Sequence, residues 1–180
     1  MGLLLINSNI GLNVPSDMHL PNLYFLDISN NSITLPKTLG KEHLRSIVFL
    51  FLNGNRLTGK YLPNSFDTLS PTLKKLGIGR CGLLGVPQYL KSFDKLTYLD
   101  IRNNNITSIP DQFINWIENR NIEAYMDGNA FICSKHSGES LSKVCKTLCS
   151  KYCYTANYKN NYCDHECNSK DCDYDVNECK

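Results

Sequence analysis

One spacing recurs along the chain so regularly that few folds can accommodate it. Leu23, Leu26, Ile28, Asn31 and Ile33 stand at L-x-x-L-x-L-x-x-N-x-L intervals, and Ile47, Leu50, Leu52, Asn55 and Leu57 repeat them. Leu73, Leu76, Ile78, Cys81 and Leu83 carry Cys in the Asn slot, and Leu96, Leu99, Ile101, Asn104 and Ile106 restore the Asn. The copies begin 24, 26 and 23 residues apart. A weaker unit precedes them, read as Leu4, Ile6 and Asn9, and another follows with Ala124, Met126, Asn129 and Phe131. A unit this short cannot bury its apolar face alone, so the units must stack. Alternate Leu and Ile point one way along a short strand. The Asn amide offers donors and an acceptor to backbone groups where the chain turns. Cys81 is then a small, buried, weakly donating member of that ladder. A reactive or paired Cys81 is the competing reading.

These residues resemble the leucine-rich-repeat family over about residues 1–131. The resemblance implies an α/β solenoid of about six repeats, with the strands lining a concave face. After the ladder position come convex segments such as Ile109-Pro110-Asp111-Gln112-Phe113. Pro110 pre-sets a helical first turn, and Phe113, Trp116 and Ile117 keep helical spacing. Trp116 is therefore expected in the convex packing.

Strand positions between the inward residues face the concave surface in three columns. The first reads Phe25, Phe49, Lys75, Tyr98, Glu123, and the second Asp27, Phe51, Gly77, Asp100, Tyr125. The third reads Ser29, Asn53, Gly79, Arg102, Asp127. Aromatic side chains gathered on one solvent-facing surface mark a contact patch. Phe25, Phe49, Phe51 and Tyr98, flanked by Asp100 and Arg102, are the expected partner-binding residues, and the partner is a protein or peptide. The competing reading is that the rings pack on one another or on an N-terminal extension. Gly77 and Gly79 are expected to leave a flat spot for close approach of a ligand backbone.

The nine cysteines are uneven, with only Cys81 ahead of Cys133. Eight between Cys133 and Cys179 describe a small module that needs covalent staples. Cys149, Cys153, Cys163, Cys167, Cys172 and Cys179, with the stretch N-x-x-C-D-x-x-C-N-x-x-x-C-x-Y-D-x-x-E-C, resemble the Notch-type repeat (LNR) over residues 149–180. That resemblance implies the pairs Cys149–Cys172, Cys153–Cys167 and Cys163–Cys179. It also implies calcium held by Asn157, Asn160, Asp175 and Glu178. The sequence departs from the family at Asp175-Val176-Asn177-Glu178, which lacks the usual glycines, and only two of the four ligands are carboxylates. Calcium binding is therefore expected to be weak, in the range of about 0.1–1 mM. Cys133 and Cys145 are expected to pair in a cap or linker over residues 132–148. The combination resembles predicted surface receptors of oomycetes.

A net charge of +2 gives no electrostatic footprint for nucleic acid. No run reaches the length of a membrane-spanning helix, and the opening MGLLLIN lacks the basic and apolar regions of a signal peptide. Disulfides without an export signal are expected of a fragment or an incomplete gene model that begins inside a repeat. Asn30-Asn31-Ser32 and Asn105-Ile106-Thr107 are glycosylation sequons, at Asn30 and Asn105. Gly54 to Lys60 nearly spells a P-loop, but Tyr61 stands where Ser or Thr must bind Mg²⁺. Asp171, Asp173 and Asp175 open like an EF-hand but meet Val176 instead of Gly. No C-x-x-C pair suggests zinc, and no nucleophile–base pattern suggests an enzyme. The expected function is extracellular or cell-surface recognition without catalysis. Alternatives are a regulatory or structural ectodomain piece of a larger membrane receptor, kinase-linked in one version, or a cytosolic scaffold with reduced or zinc-bound cysteines.

Overall fold

A computed structural model describes residues 1–8, 19–34, 42–55, 57 and 62–130. Six three-residue strands stack in sequence order into one parallel sheet: β1 (Gly2–Leu4), β2 (Phe25–Asp27), β3 (Phe49–Phe51), β4 (Lys75–Gly77), β5 (Tyr98–Asp100) and β6 (Glu123–Tyr125). Their middle residues form a single inward row, Leu3, Leu26, Leu50, Leu76, Leu99 and Ala124. Behind it lie the second strand leucines and isoleucines and the convex aromatics Phe66, Phe93 and Phe113, all nearly solvent-free. This is the leucine-rich-repeat solenoid that the spacing predicts.

The ladder amides hold the pitch. Asn55 Oδ1 accepts the N–H groups of Asn31 (3.1 Å) and Ile33 (2.9 Å), while its Nδ2 donates to Ile28 O (2.8 Å) and Leu52 O (3.0 Å). Asn104 does the same one turn later, accepting from Cys81 and Leu83 and donating to Ile78 O and Ile101 O. Asn129 donates to Ile101 O and Met126 O and accepts from Ile106. Cys81 keeps only the donating half: its Sγ lies 3.3 Å from Leu52 O and 3.4 Å from Gly79 O. Asn55 N and Leu57 N, which an Asn amide would receive, turn instead to Leu52 O and Asn55 O. Cys81 is free and buried, and burial pushes its thiol up to about 12. That protonation state suits a structural donor and not a nucleophile.

The first unit lies one residue away from its expected register. Leu3, not Leu4, pairs opposite Leu26, so Leu3 and Leu5 take the inward positions and Ser8 the ladder slot. Ser8 N donates to Asn31 Oδ1 at 2.8 Å. A one-residue slip in a strand turns every side chain to the other face. Leu4 and Ile6, expected inside, are accordingly exposed, Leu4 by 61 %. Asn9 and Phe131 lie outside the described residues.

On the convex side, two 3₁₀ helices (Asn64–Leu69, Gln88–Ser92) and α1 (Asp111–Asn119) follow Pro63, Pro87 and Pro110. Each proline stays extended (ψ 139°, 122° and 140°) and its carbonyl accepts the N–H three residues on. Pro110 thus stands before the helix and not within its first turn, because the chain must still be extended where it leaves the ladder. Trp116 packs against the core and against Phe113, with ring centroids 5.2 Å apart. Replacing Asn104 by Ala strands four buried backbone groups, and we expect a loss of about 3 kcal/mol or more in chemical denaturation. Cys81→Asn, which supplies the missing acceptor, is expected to raise the denaturation midpoint above wild type, and Cys81→Val to lower it.

Candidate concave binding face

The strand register aligns the first two columns as the sequence predicts, and backbone hydrogen bonds from Asn30 N to Asn53 O, Gly54 N to Gly79 O, Arg80 N to Arg102 O and Asn103 N to Asp127 O carry the alignment on to the third. A strand residue with its side chain away from the core has only its column neighbours and solvent to touch. The aromatic residues answer by touching one another. Tyr24 meets Phe49 edge-on (5.1 Å between ring centroids), and Phe25 lies 6.3 Å from Phe49 and 6.0 Å from Phe51. Phe51 reaches Tyr98 at 6.2 Å, and Tyr98 reaches Tyr125 at 5.5 Å. The result is an unbroken row of rings from Tyr24 to Tyr125, exposed at Tyr24 and half-buried beyond it. Rings at these separations favour tilted or T-shaped packing, which stiffens the row as a unit.

Cations flank it. Lys75 Nζ sits 5.4 Å from the Tyr98 centroid and the Arg102 guanidinium 5.1 Å from that of Tyr125. Asp100 is buried and grips Arg102 twice, through Nε (3.0 Å) and Nη2 (2.9 Å), while accepting Arg102 N at 3.0 Å. Asp100 therefore fixes the orientation of Arg102, whose side chain is 41 % exposed. That hydrogen bond to Asp100 holds the guanidinium firmly protonated. Burial, and then the nearby Asp100 charge, push the Tyr98 phenol up. Tyr125 is raised chiefly by its hydrogen bond to Glu123. Phe25, Phe49, Phe51, Tyr98, Asp100 and Arg102 are thus brought together on one surface. Tyr24 and Tyr125 complete it, although the sequence reading did not name them as binding residues. Tyr125 stood in the second column beside Asp100, and its adjacency to Tyr98 was the available signal.

Gly77 behaves differently from expectation. A Cβ on Gly77 would lie 2.7 Å from both Phe51 Cδ1 and Asn53 Nδ2. Gly77 is needed because Phe51 lies across it to reach Tyr98, so this spot is already covered. Over Gly79 a polar notch of about 270 Å³ does remain, with Asn30, Asn53, Arg80 and Arg102 on its rim. A larger groove of about 810 Å³ between the convex turns, lined by Leu62, Asp67, Val86 and Tyr89, has no convergent set of charged groups. Asn30 and Asn105, with Ser32 and Thr107 of their sequons, are all exposed.

Among the described residues there is no cluster of three or more His, Cys, Asp or Glu able to hold a metal, and no helix is long and apolar enough to cross a membrane. The expected calcium ligands Asn157, Asn160, Asp175 and Glu178 lie outside the described residues, as do all the expected disulfide pairs. Two amide and two carboxylate oxygens are chemically fit for a hard cation.

The leucine-rich-repeat family model matches residues 22–41 and 95–116, and the Notch LNR domain model matches residues 142–180. Receptor like protein 28 of Arabidopsis thaliana is 37% identical over 95 residues, covering 51% of this chain and 12% of that protein. Leucine-rich repeats and immunoglobulin-like domains protein 3 of Homo sapiens is 30% identical over 89 residues, or 49% of this chain and 8% of its own length. The chain thus spans only about an eighth or less of these relatives. The crystal structure of the BIR2 ectodomain from Arabidopsis thaliana shares the fold, with a TM-score of 0.50 and 23% identity over 65% of this chain and 60% of that one. These relatives are plant and human, and they do not show the expected likeness to oomycete receptors.

If Gly77 exists to seat Phe51, then Gly77→Ala must push that ring aside. We expect a stability loss of about 1–3 kcal/mol together with a changed near-ultraviolet circular dichroism spectrum. Wild-type stability and an unchanged spectrum would mean that the space over Gly77 is empty.

Proposed function

We propose that this chain is an extracellular or cell-surface recognition module that binds a protein or peptide partner on its concave face and carries out no catalysis. The observation that carries the reading is the unbroken ring row from Tyr24 to Tyr125. Aromatic anchors in a rigid row, rimmed by Lys75 and Arg102, are the composition of interface hot spots. The repeat fold fits a large partner better than a small molecule, because its curved face is broad and its notch is small. Likeness to plant receptor-like proteins supports a place at the cell surface. The small fraction of those relatives that it spans also supports a second reading, an ectodomain piece of a larger receptor. The LNR match supports weak calcium binding by Asn157, Asn160, Asp175 and Glu178 in a disulfide-bonded module. Glycans at Asn30 and Asn105 would accord with a secretory route.

Screening the purified chain against an array of secreted proteins and peptides, beside the Phe49→Ala/Phe51→Ala double variant, tests this reading. Partners of the concave face are expected to lose at least about 100-fold in affinity for the variant, as loss of two aromatic anchors implies, while its thermal transition stays cooperative. Partners bound equally by both proteins would place the binding surface elsewhere.

A further inference from the structure

Beside the ring row, the notch over Gly79 draws its walls from three successive repeats: Asn53 from one, Arg80 from the next, Asp100 and Arg102 from the one after. Gly79 is its floor. A Cβ there would stand 3.1 Å from both Asp100 Oδ1 and Arg102 O and 3.3 Å from Asn53 Oδ1, so a side chain at this position would fill the space. The acceptors of the walls are already engaged. Asn53 Oδ1 accepts Gly79 N at 2.7 Å, and the two Asp100 oxygens accept Arg102 N, Nε and Nη2. The donors are not. Arg80 is exposed, and its guanidinium makes no hydrogen bond or ion pair among the described residues. Asn53 Nδ2 and Arg102 Nη1 likewise have no acceptor among them. A recess bordered by unmatched N–H groups fits an acceptor-rich ligand. Charge narrows the choice. Asp100 neutralises Arg102, which leaves the rim one uncompensated positive charge, that of Arg80. Asp127 lies within electrostatic reach of Arg102 but does not line the notch. A monoanion balances that charge, whereas a phosphate dianion would carry an excess into the recess.

We propose that the notch receives an aspartate or glutamate side chain of the partner, its carboxylate held between the Arg80 guanidinium and Arg102 Nη1 with Asn53 Nδ2 as a further donor. The inference rests on the concave-face reading above and adds to it the chemistry of the partner. Guanidinium groups suit the task, because their planar donors match the two oxygens of a carboxylate. Arg102 is already steered by its two bonds to Asp100, so it has less freedom to lose than a solvated arginine. Placement favours a side chain over a chain end. The ring row runs from Tyr24, just before β2, to Tyr125 in β6, while the notch spans only β3 to β5. A segment lying along the row therefore passes the notch in mid-course. The acidic residue it offers there has apolar neighbours, which rest on Phe51 and Tyr98 beside the notch.

Two synthetic peptides test this on the full chain: acetyl-Phe-Ala-Asp-Ala-Phe-amide and the same peptide with Asn for Asp. Binding is followed by nuclear magnetic resonance at the arginine Nε–H groups and at the rings of Phe49, Phe51 and Tyr98. The Asp peptide is expected to bind about 5- to 10-fold tighter than its Asn isostere at low salt, as one charge-assisted contact implies. It should move the Arg80 signal together with the ring signals. Arg80→Gln should abolish the preference while both peptides still move the rings. Equal affinity for the two peptides, or ring shifts with the Arg80 signal unmoved, would overturn the notch and leave the ring row standing. Arg80 shifts without ring shifts would keep the carboxylate site and count against the row. No shift at any of these groups from either peptide at millimolar concentration would overturn the notch, with the row then judged by the array screen alone.

Discussion

A buried side-chain amide that serves two neighbouring turns at once is the constraint on which this molecule depends. Each of Asn55 and Asn104 closes four backbone hydrogen bonds that no water can reach. Without it, the tight turn after each strand would leave carbonyls and N–H groups unpaired in an apolar interior. With it, each turn is locked to the next at a fixed rise, and the strands are forced into register. Cys81 shows how far the slot can be relaxed. The thiol keeps the donating contact to Leu52 O, and the backbone of the third repeat finds other acceptors.

Register is what converts a ladder of amides into a continuous surface. Because Phe25, Phe49, Lys75, Tyr98 and Glu123 share one column, rings from separate repeats meet across the sheet. The row crosses β4, where neither Lys75 nor Gly77 supplies a ring, only because Gly77 lets Phe51 lean over it toward Tyr98. Asp100 spends its charge inside the fold, orienting Arg102 over Tyr125. The face is therefore already organised, which would lower the ordering cost of the binding proposed for it.

Much of this was legible in the sequence, because leucine spacing reports directly on burial. The four full copies placed their inward residues and their columns correctly. The first unit did not. Leu3, Leu4, Leu5 and Ile6 are all apolar, so spacing alone could not choose between two registers, and pairing with Leu26 settled it. The role of Gly77 was hidden for a related reason, since an absent side chain says nothing about which neighbour fills the space. Tyr24 precedes the strand proper, and only the fold brings its ring to Phe49.

If the chain is the extracellular module proposed above, its cysteines must behave as two populations. Cys81, buried at 1 % exposure with its thiol held protonated, belongs to the ladder. The other eight lie outside the described residues, and the proposed reading makes them covalent staples in a compartment that permits them. The most direct test is disulfide mapping by mass spectrometry on protein secreted through an oxidising pathway, with free thiols blocked only after denaturation. The account predicts Cys81 alone carrying the blocking group, with Cys149–Cys172, Cys153–Cys167, Cys163–Cys179 and Cys133–Cys145 joined. A folded product with most thiols free, or with Cys81 in a bridge, would contradict it.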